Sequence, residues 1–449
     1  MAALGGSIPG PGPRPVPDTD NRAPAADERY WRRLVAVFFA GWVLMYANRT
    51  VLSPLLSLLE GQWSMTRAQL GLLNSAFFLM YTLMQVPTGL LADRLGRRRL
   101  LLPGYLLHAV GAALSGLAHS AQTFLAARVV TGLGQSTYYA TQYALASAVI
   151  PRRYRALGMA VINSGMAVGI ALGMLAASAS LAGQGTSWRV PFLSLAAATL
   201  LLYVVMSRVV HDEHPPALAA PAAAGERAGA ADGSPGPTTQ ARVPGRPGLG
   251  AAFARNTVLC YLVALCSMYG FFVILTWLPY YLETQRGVSG VGSGVVSATI
   301  AFAAVPAGLL AGRISDRIGR RRPVLLLLVP VSGLALAGIV LAPSVASAYG
   351  AVLLYGITGK LVMDPLLVAL VADATPAQGY GTAFGILNFA GTISTVLAPA
   401  ITGHLADLTG SFVSAFLLAA ALQIVAAAAL AAMRSERQAG GSPRQAANS

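Results

Sequence analysis

Apolar runs about as long as a bilayer crossing alternate with short polar turns along almost the whole chain. A crossing helix needs about 20 mostly apolar residues. On that window about twelve runs qualify: 34–58, 70–92, 100–117, 122–149, 156–181 and 190–210, then 254–282, 292–312, 323–342, 346–372, 379–402 and 410–433. The pattern predicts an all-α membrane protein of about twelve helices, grouped as two six-helix halves at 31–210 and 253–434. Between them, 211–252 is rich in Ala, Pro and Gly and reads as a disordered linker. Residues 1–30, with Pro9, Pro11, Pro13, Pro15 and Pro17, and the tail 435–449 read the same way. The N-terminal stretch lacks the apolar segment of a signal peptide.

The halves repeat one another. Gly89, Asp93, Arg94, Gly96, Arg97, Arg98 and Arg99 follow the second run, and Gly312, Asp316, Arg317, Gly319, Arg320, Arg321 and Arg322 follow the eighth. The aspartates are 316 − 93 = 223 residues apart. Pro54 and Pro279, Pro151 and Pro376, and Asn163 and Asn388 all pair at an offset of 225 (for instance 279 − 54). Shared offsets at separated sites imply a duplicated membrane unit, whose substrate site would lie at the bilayer midplane between the repeats. The turn G-x-x-x-D-R-x-G-R-R-R resembles the signature loop of the major facilitator superfamily, and both copies match it at every fixed position. That resemblance implies a gating role for the two turns.

Composition narrows the function. Only 10% of the 449 residues are charged, against about 25% in soluble domains. The net charge of +15 sits in short turns, as the positive-inside rule produces, and not in a face for nucleic acid. One set of connections carries Arg32, Arg33, Arg94, Arg97 to Arg99, Arg152, Arg153, Arg155, Arg317, Arg320 to Arg322 and Arg434. The opposite set carries Arg67, Arg189 and Arg286. The first set is therefore expected in the cytoplasm with both termini, in a multi-pass protein of the cell (inner) membrane. Cys260 and Cys266 lie in one apolar run and support neither a disulfide framework nor a metal site. His108, His119 and His404 are scattered, and there is no nucleophile triad or phosphate loop, so no enzyme, catalytic residue, metal or cofactor is expected.

Ionisable groups inside a span are costly and are functional candidates by default. Arg49 lies past the middle of the first run, and Lys360 and Asp364 lie within the tenth. Lys360 is the sole lysine in the chain, which points to a position that needs an ammonium. Unlike guanidinium, an ammonium loses its proton readily when desolvated. A spacing of four places Lys360 and Asp364 on one helix face. Gly356, Gly359 and Pro365 make that helix locally irregular, which is tolerated at membrane depth mainly beside a cavity. The plainer alternatives are a neutralised structural pair and an Arg49 that snorkels outward. Two deep cations against one deep anion select an anion, and guanidinium suits a carboxylate through two parallel hydrogen bonds. Tyr46, Tyr81, Gln85, Gln135, Tyr139, Tyr269 and Asn388 are the candidates to shape the rest of the site.

From about Arg33 to Leu430 the chain resembles one subgroup of that superfamily, the anion:cation symporter family. Arg49 matches its substrate arginine; Tyr81, Gln85, Pro87 and Gly89 match its second-span pattern, and Trp277, Pro279 and Leu282 its seventh. Arg128, Gly132, Gly134 and Gln135 resemble its fourth-span pattern. The resemblance implies a secondary transporter of a small organic anion, a monomer, with proton symport. Two departures bear on coupling: Asn48 stands where the family has aspartate, and Gln135 where it has glutamate. At the 225 offset Gln135 aligns with Lys360 and Tyr139 with Asp364 (360 − 135 and 364 − 139). Either proton coupling has moved to Asp364 and Lys360, or the carrier is an exchanger or uniporter. The reading taken is symport. An efflux carrier for cationic drugs would want a deep acid with few cations, and a transport-free sensor would want an appended signalling domain.

Overall fold

In the computed structural model, residues 25–182, 187–211, 253–375 and 380–433 are described. The linker, the tail, residues 1–24 and Pro376 lie outside them. The first crossing is α1 (Ala25–Thr50) followed, after a 3-10 turn at Ser53–Leu55, by α2 (Leu56–Trp63). Then come α3 (Arg67–Leu95), α4 (Arg97–Leu117), the pair α5 (Ala121–Ser136) and α6 (Tyr138–Val149), α7 (Arg155–Leu181) and α8 (Arg189–Val209). The second half comprises α9 (Arg255–Arg286), α10 (Gly290–Ile318), α11 (Arg322–Leu341), the pair α12 (Val345–Thr358) and α13 (Lys360–Ala374), α14 (Tyr380–Thr409) and α15 (Val413–Ala431). No strand occurs among the described residues. Eleven of these crossings are long and apolar enough to span a membrane by length and composition. The other is the fourth, α5–α6, which buries Arg128, Gln135 and Gln142.

The duplication read from proline and aspartate offsets is present in the packing. First against fifth crossing (α1 on α7) is repeated as seventh against eleventh (α9 on α14). Third against sixth (α4 on α8) recurs as ninth against twelfth (α11 on α15), and second against fourth (α3 on α5) as eighth against tenth (α10 on α12). The halves meet through α3 on α14 and α7 on α10, two contacts that the same symmetry exchanges. Small residues permit these approaches, as expected where lipid removes the hydrophobic drive between helices. A Cβ on Gly165, Gly169 or Gly173 of α7 would lie 2.6, 2.4 and 2.3 Å from the carbonyl oxygens of Phe39, Val43 and Ala47 on α1. Those distances admit no side chain, so the stripe fixes how closely the first and fifth crossings pack.

The face opposite the arginine turns is sealed across the halves. The Asp407 carboxylate, near the end of α14, accepts the Arg67 and Ala68 backbone N–H groups at 3.0 and 2.8 Å. It thereby fills the free N-terminal donors of α3, where the helix dipole favours an anion. Tyr280 donates to Glu60 at 2.5 Å and Ser57 to Glu283 at 2.9 Å, both from half to half. Deeper in, Asn74 donates to Thr276 at 3.3 Å and Ser75 to the Val396 carbonyl at 2.6 Å.

Several boundaries differ from the sequence reading. The first helix begins at Ala25, inside the stretch 1–30 expected to be disordered, and its early turns are anchored where buried Trp31 stacks on Tyr154 at 5.5 Å. The first, fourth and tenth crossings are each two helices. The breaks fall at Pro54, which cannot continue the backbone ladder, at Thr137, and at Gly359.

Candidate functional site

Arg49 sits in the last turn of α1, where the negative end of the helix dipole favours a cation. It is 5% exposed. Its Nε donates to Gln135 Oε1 at 2.8 Å. The guanidinium lies 4.7 and 4.6 Å from the ring centres of Tyr46 and Tyr81, and 5.8 Å from those of Phe77 and Phe78. Contacts of this kind hold a desolvated cation by roughly 2 kcal/mol each at best. They leave its hydrogen-bonding edge open: Nη2 is buried without a partner. Gln135 is itself held in place, its amide nitrogen 3.1 Å from His108 Nε2 and 3.4 Å from the Met45 carbonyl. Because the amide can only donate, His108 Nε2 accepts and its proton resides on Nδ1. A chain His108–Gln135–Arg49 therefore orients the guanidinium.

Arg128 was not counted among the deep cations, and it is fully buried. Its Nη1 donates to the Asn48 carbonyl and Oδ1 at 3.2 and 3.3 Å, and its Nη2 to Asn74 Oδ1 at 3.2 Å. Phe77 covers it at 4.6 Å. The signal in the sequence was its position in the run 122–149, but so close to the start of that run an arginine can snorkel. The structure instead turns it into the helix bundle, where Asn48 serves as its partner.

On the other half, the break at Gly359 starts α13 at Lys360. A Cβ on Gly359 would lie 2.6 Å from the Tyr355 carbonyl oxygen, so the bend accepts only glycine. Lys360 pairs with Asp364 one turn on, as the spacing predicts, and its ammonium lies 5.6 Å from the Phe271 ring. A cation on the first residue of a helix opposes the dipole, and the Asp364 carboxylate offsets that cost. Lys360 is near enough to Arg49 and Tyr46 to act on them electrostatically, and Asp364 likewise to Tyr139. A line of rings joins the two cations across the halves: Arg49 lies 5.8 Å from Phe78, Phe78 4.8 Å from Phe272, Phe272 5.5 Å from Phe271, and Phe271 5.6 Å from Lys360. Asp364 is 46% exposed in its side chain and Tyr139 is 38% exposed, so the space before them is open.

The remaining candidates divide. Tyr46, Tyr81 and Gln135 gather around Arg49, with Tyr139 beside them. Gln85 and Asn388 are joined to each other, Asn388 donating to Gln85 across the halves at 2.9 Å in an exposed bond. Tyr269, on α9, is buried in an apolar cluster that also holds Phe77 and Phe78, the rings beside Arg49. In the turns, Gly96 has φ 96° and Gly319 φ 67°, backbone that favours glycine. Arg98 donates to the Ser207 carbonyl at the end of α8. Arg322 donates to those of Leu430 and Ala431 at the end of α15, so both turns cap the last helix of their own half. Arg97 donates to the Ala144 carbonyl at 3.4 Å. Asp316 pairs with Arg321 within its own turn, and Arg94, Arg317 and Arg320 are exposed. Gly89 and Gly312 are half-buried in α3 and α10. The Asp93 side chain lies outside the described residues.

The family model described as Major Facilitator Superfamily matches residues 38–391 and again 285–448. The chain is 28% identical to the "Probable sulfoacetate transporter" of Cupriavidus necator, over 88% of this chain and 92% of that protein. It is 27% identical to the "Hexuronate transporter" of Bacillus subtilis, over 88% and 93%. It is 32% identical to the "Probable 4-methylmuconolactone transporter" of Cupriavidus pinatubonensis, over 65% and 64%. Among solved structures, a bacterial homolog of the human lysosomal transporter Spinster, inward-facing and occupied, superposes with a TM-score of 0.73 at 16% identity, over 91% of this chain and 97% of that one.

Proposed function

This chain belongs to the Major Facilitator Superfamily, a multi-pass membrane transporter and not an enzyme, and from that premise we propose that it moves a small organic anion by alternating access, in symport with protons. The observation that carries the reading is Arg49: a buried guanidinium, boxed by aromatic rings, with Nη2 unpartnered and, among the described residues, no carboxylate bonded to it. Leaving a buried charge unpaired is expensive, and an arriving carboxylate removes that cost through charge-assisted bonds. The relatives named for sulfoacetate and hexuronate carry anions, in keeping with this choice.

Coupling is assigned to the Lys360–Asp364 pair, because the amides of Asn48 and Gln135 do not titrate. In the empty carrier Asp364 neutralises Lys360. An anion that competes for the lysine deprives Asp364 of its cation, which raises the affinity of the carboxylate for a proton. One proton then travels with each anion by local charge balance.

The test is uptake of labelled organic acid into proteoliposomes with and without an imposed pH gradient. Wild type should concentrate substrate in response to the gradient. Asp364→Asn should lose that accumulation and keep counterflow exchange, since binding survives when coupling is lost. Gradient-driven accumulation by Asp364→Asn would move the coupling group elsewhere. Wild-type uptake indifferent to the gradient would make the carrier an exchanger or uniporter.

A further inference from the structure

We propose that the site selects a flat monocarboxylate with an unsaturated or aromatic body and few hydroxyls, over polyhydroxylated acids and over dianions. This rests on the organic-anion reading above and names its substrate class.

Charge sets the valence. Three cations are deep, but only one asks for a substrate anion. Lys360 is paired with Asp364, and Arg128 is sealed behind Phe77 with its Nη groups on Asn48 and Asn74. Arg128 Nε also lacks a partner, but Arg49 alone joins an unpartnered Nη2 to a line of rings, Phe78, Phe272 and Phe271, that leads to Lys360. One carboxylate engages the free guanidinium and draws Lys360 to itself as Asp364 takes up the proton, so a second would find no cation left.

The walls set the body. Around Arg49 stand the faces of Tyr46 and Tyr81, with Tyr139 beside them, and Phe271 lies under the Lys360 ammonium. Such rings accept a planar π-system by stacking. A sugar acid offers several hydroxyls, each of which needs a partner once it leaves water. Amides are the side chains suited to reading them, and the oxygens of Asn48, Gln135, Gln142 and Gln85 are committed as acceptors, while Asn48 Nδ2 and Gln142 Nε2 are buried without partners. Gln135 holds Arg49 and meets His108, Gln142 accepts from Trp42, and Gln85 is joined to Asn388. A hydroxyl-rich ligand would have to break these bonds, whereas a flat apolar one leaves them whole.

The test is titration of the purified full chain by thermal shift and by inhibition of counterflow, with benzoate, phthalate, D-gluconate and tetraphenylphosphonium as probes. Benzoate should bind at least tenfold more tightly than gluconate or phthalate. Tyr81→Leu should weaken benzoate at least tenfold and gluconate little, while Tyr81→Phe keeps the ring and should keep benzoate. If gluconate or phthalate matches or exceeds benzoate, the substrate class is wrong and the anion reading stands. If only the phosphonium cation binds, both fall. Silence from all three acids also overturns the proposal.

Discussion

Arg49 and Arg128 are buried guanidiniums bonded to amides where acids would neutralise them, Gln135 for the one and Asn48 for the other. The consequence for Arg49 is a cation left free for a ligand, held at the angle that Gln135 and His108 set. Arg49→Lys should therefore fail nearly as badly as Arg49→Ala, because a point charge cannot replace a planar fork. Wild-type transport by a folded Arg49→Ala would remove this arginine from the site. A sharper expectation concerns Gln135→Glu. An ionised glutamate there pairs with Arg49 and competes with the substrate carboxylate, so affinity at neutral pH should fall about tenfold or more. Protonating that glutamate restores a neutral partner, so binding should recover as pH falls; anion titrations across pH in the variant and the wild type read this directly. If the variant binds as tightly as wild type at neutral pH, Arg49 is not the anion's partner. Arg49, Lys360 and Asp364 were legible in the sequence because a charge deep in an apolar run has few explanations. Arg128 and His108 were not, since one lies within reach of a span end and the other is a lone histidine. Only the fold discloses that one is sealed inside the bundle and the other orients Gln135.

Broken crossings decide what the helices can present. The tenth breaks at Gly359 and the fourth at Thr137, three residues beyond the position that the 225 offset pairs with Gly359 (359 − 225 = 134). Glycine and proline made the tenth legible, whereas nothing in Ser136, Thr137 and Tyr138 marks the fourth as interrupted. Pro54 ends the first crossing's main helix, while Pro279 at the matching place remains inside α9. A membrane helix tolerates such a residue when its neighbours satisfy the freed backbone groups, and those neighbours are not visible in the local sequence. The seal opposite the arginine turns also depends on a helix end. Asp407 caps α3 from the other half, and losing such a cap costs typically about 1 kcal/mol. Asp407→Ala should therefore weaken the present state by roughly that amount, about a fivefold change in the ratio of the two conformations. A cysteine placed in the 64–66 loop should label faster in Asp407→Ala than in the parent. Unchanged labelling would mean that the Glu60 and Glu283 bonds hold the seal without it.

At the scale of the whole molecule, the two halves are sealed on one face and open before Asp364 and Tyr139, which under the alternating access proposed above is one end of a rocking cycle. The two Asp-Arg turns lie on the arginine face. Among the described residues, Arg98 reaches α8, Arg322 reaches α15 and Asp316 pairs with Arg321, each within its own half. A latch that holds the arginine face shut must exchange such bonds for partners on the opposite half or for the ends of its helices. Asp316, exposed and tied only to its own turn, is in the released condition such a latch would show here. The simpler view gives the turns no task beyond fixing topology, which their arginines alone achieve. The aspartates separate the two ideas, since acidic residues contribute little to topology. Asp93→Asn should leave expression and orientation intact while depopulating the conformation closed on the arginine face. Cysteines introduced near Gln85 and near Glu60 would report it. The first should label faster in the variant and the second more slowly, because one equilibrium governs both faces. Equal labelling of both sites in parent and variant would reduce the turns to markers of orientation.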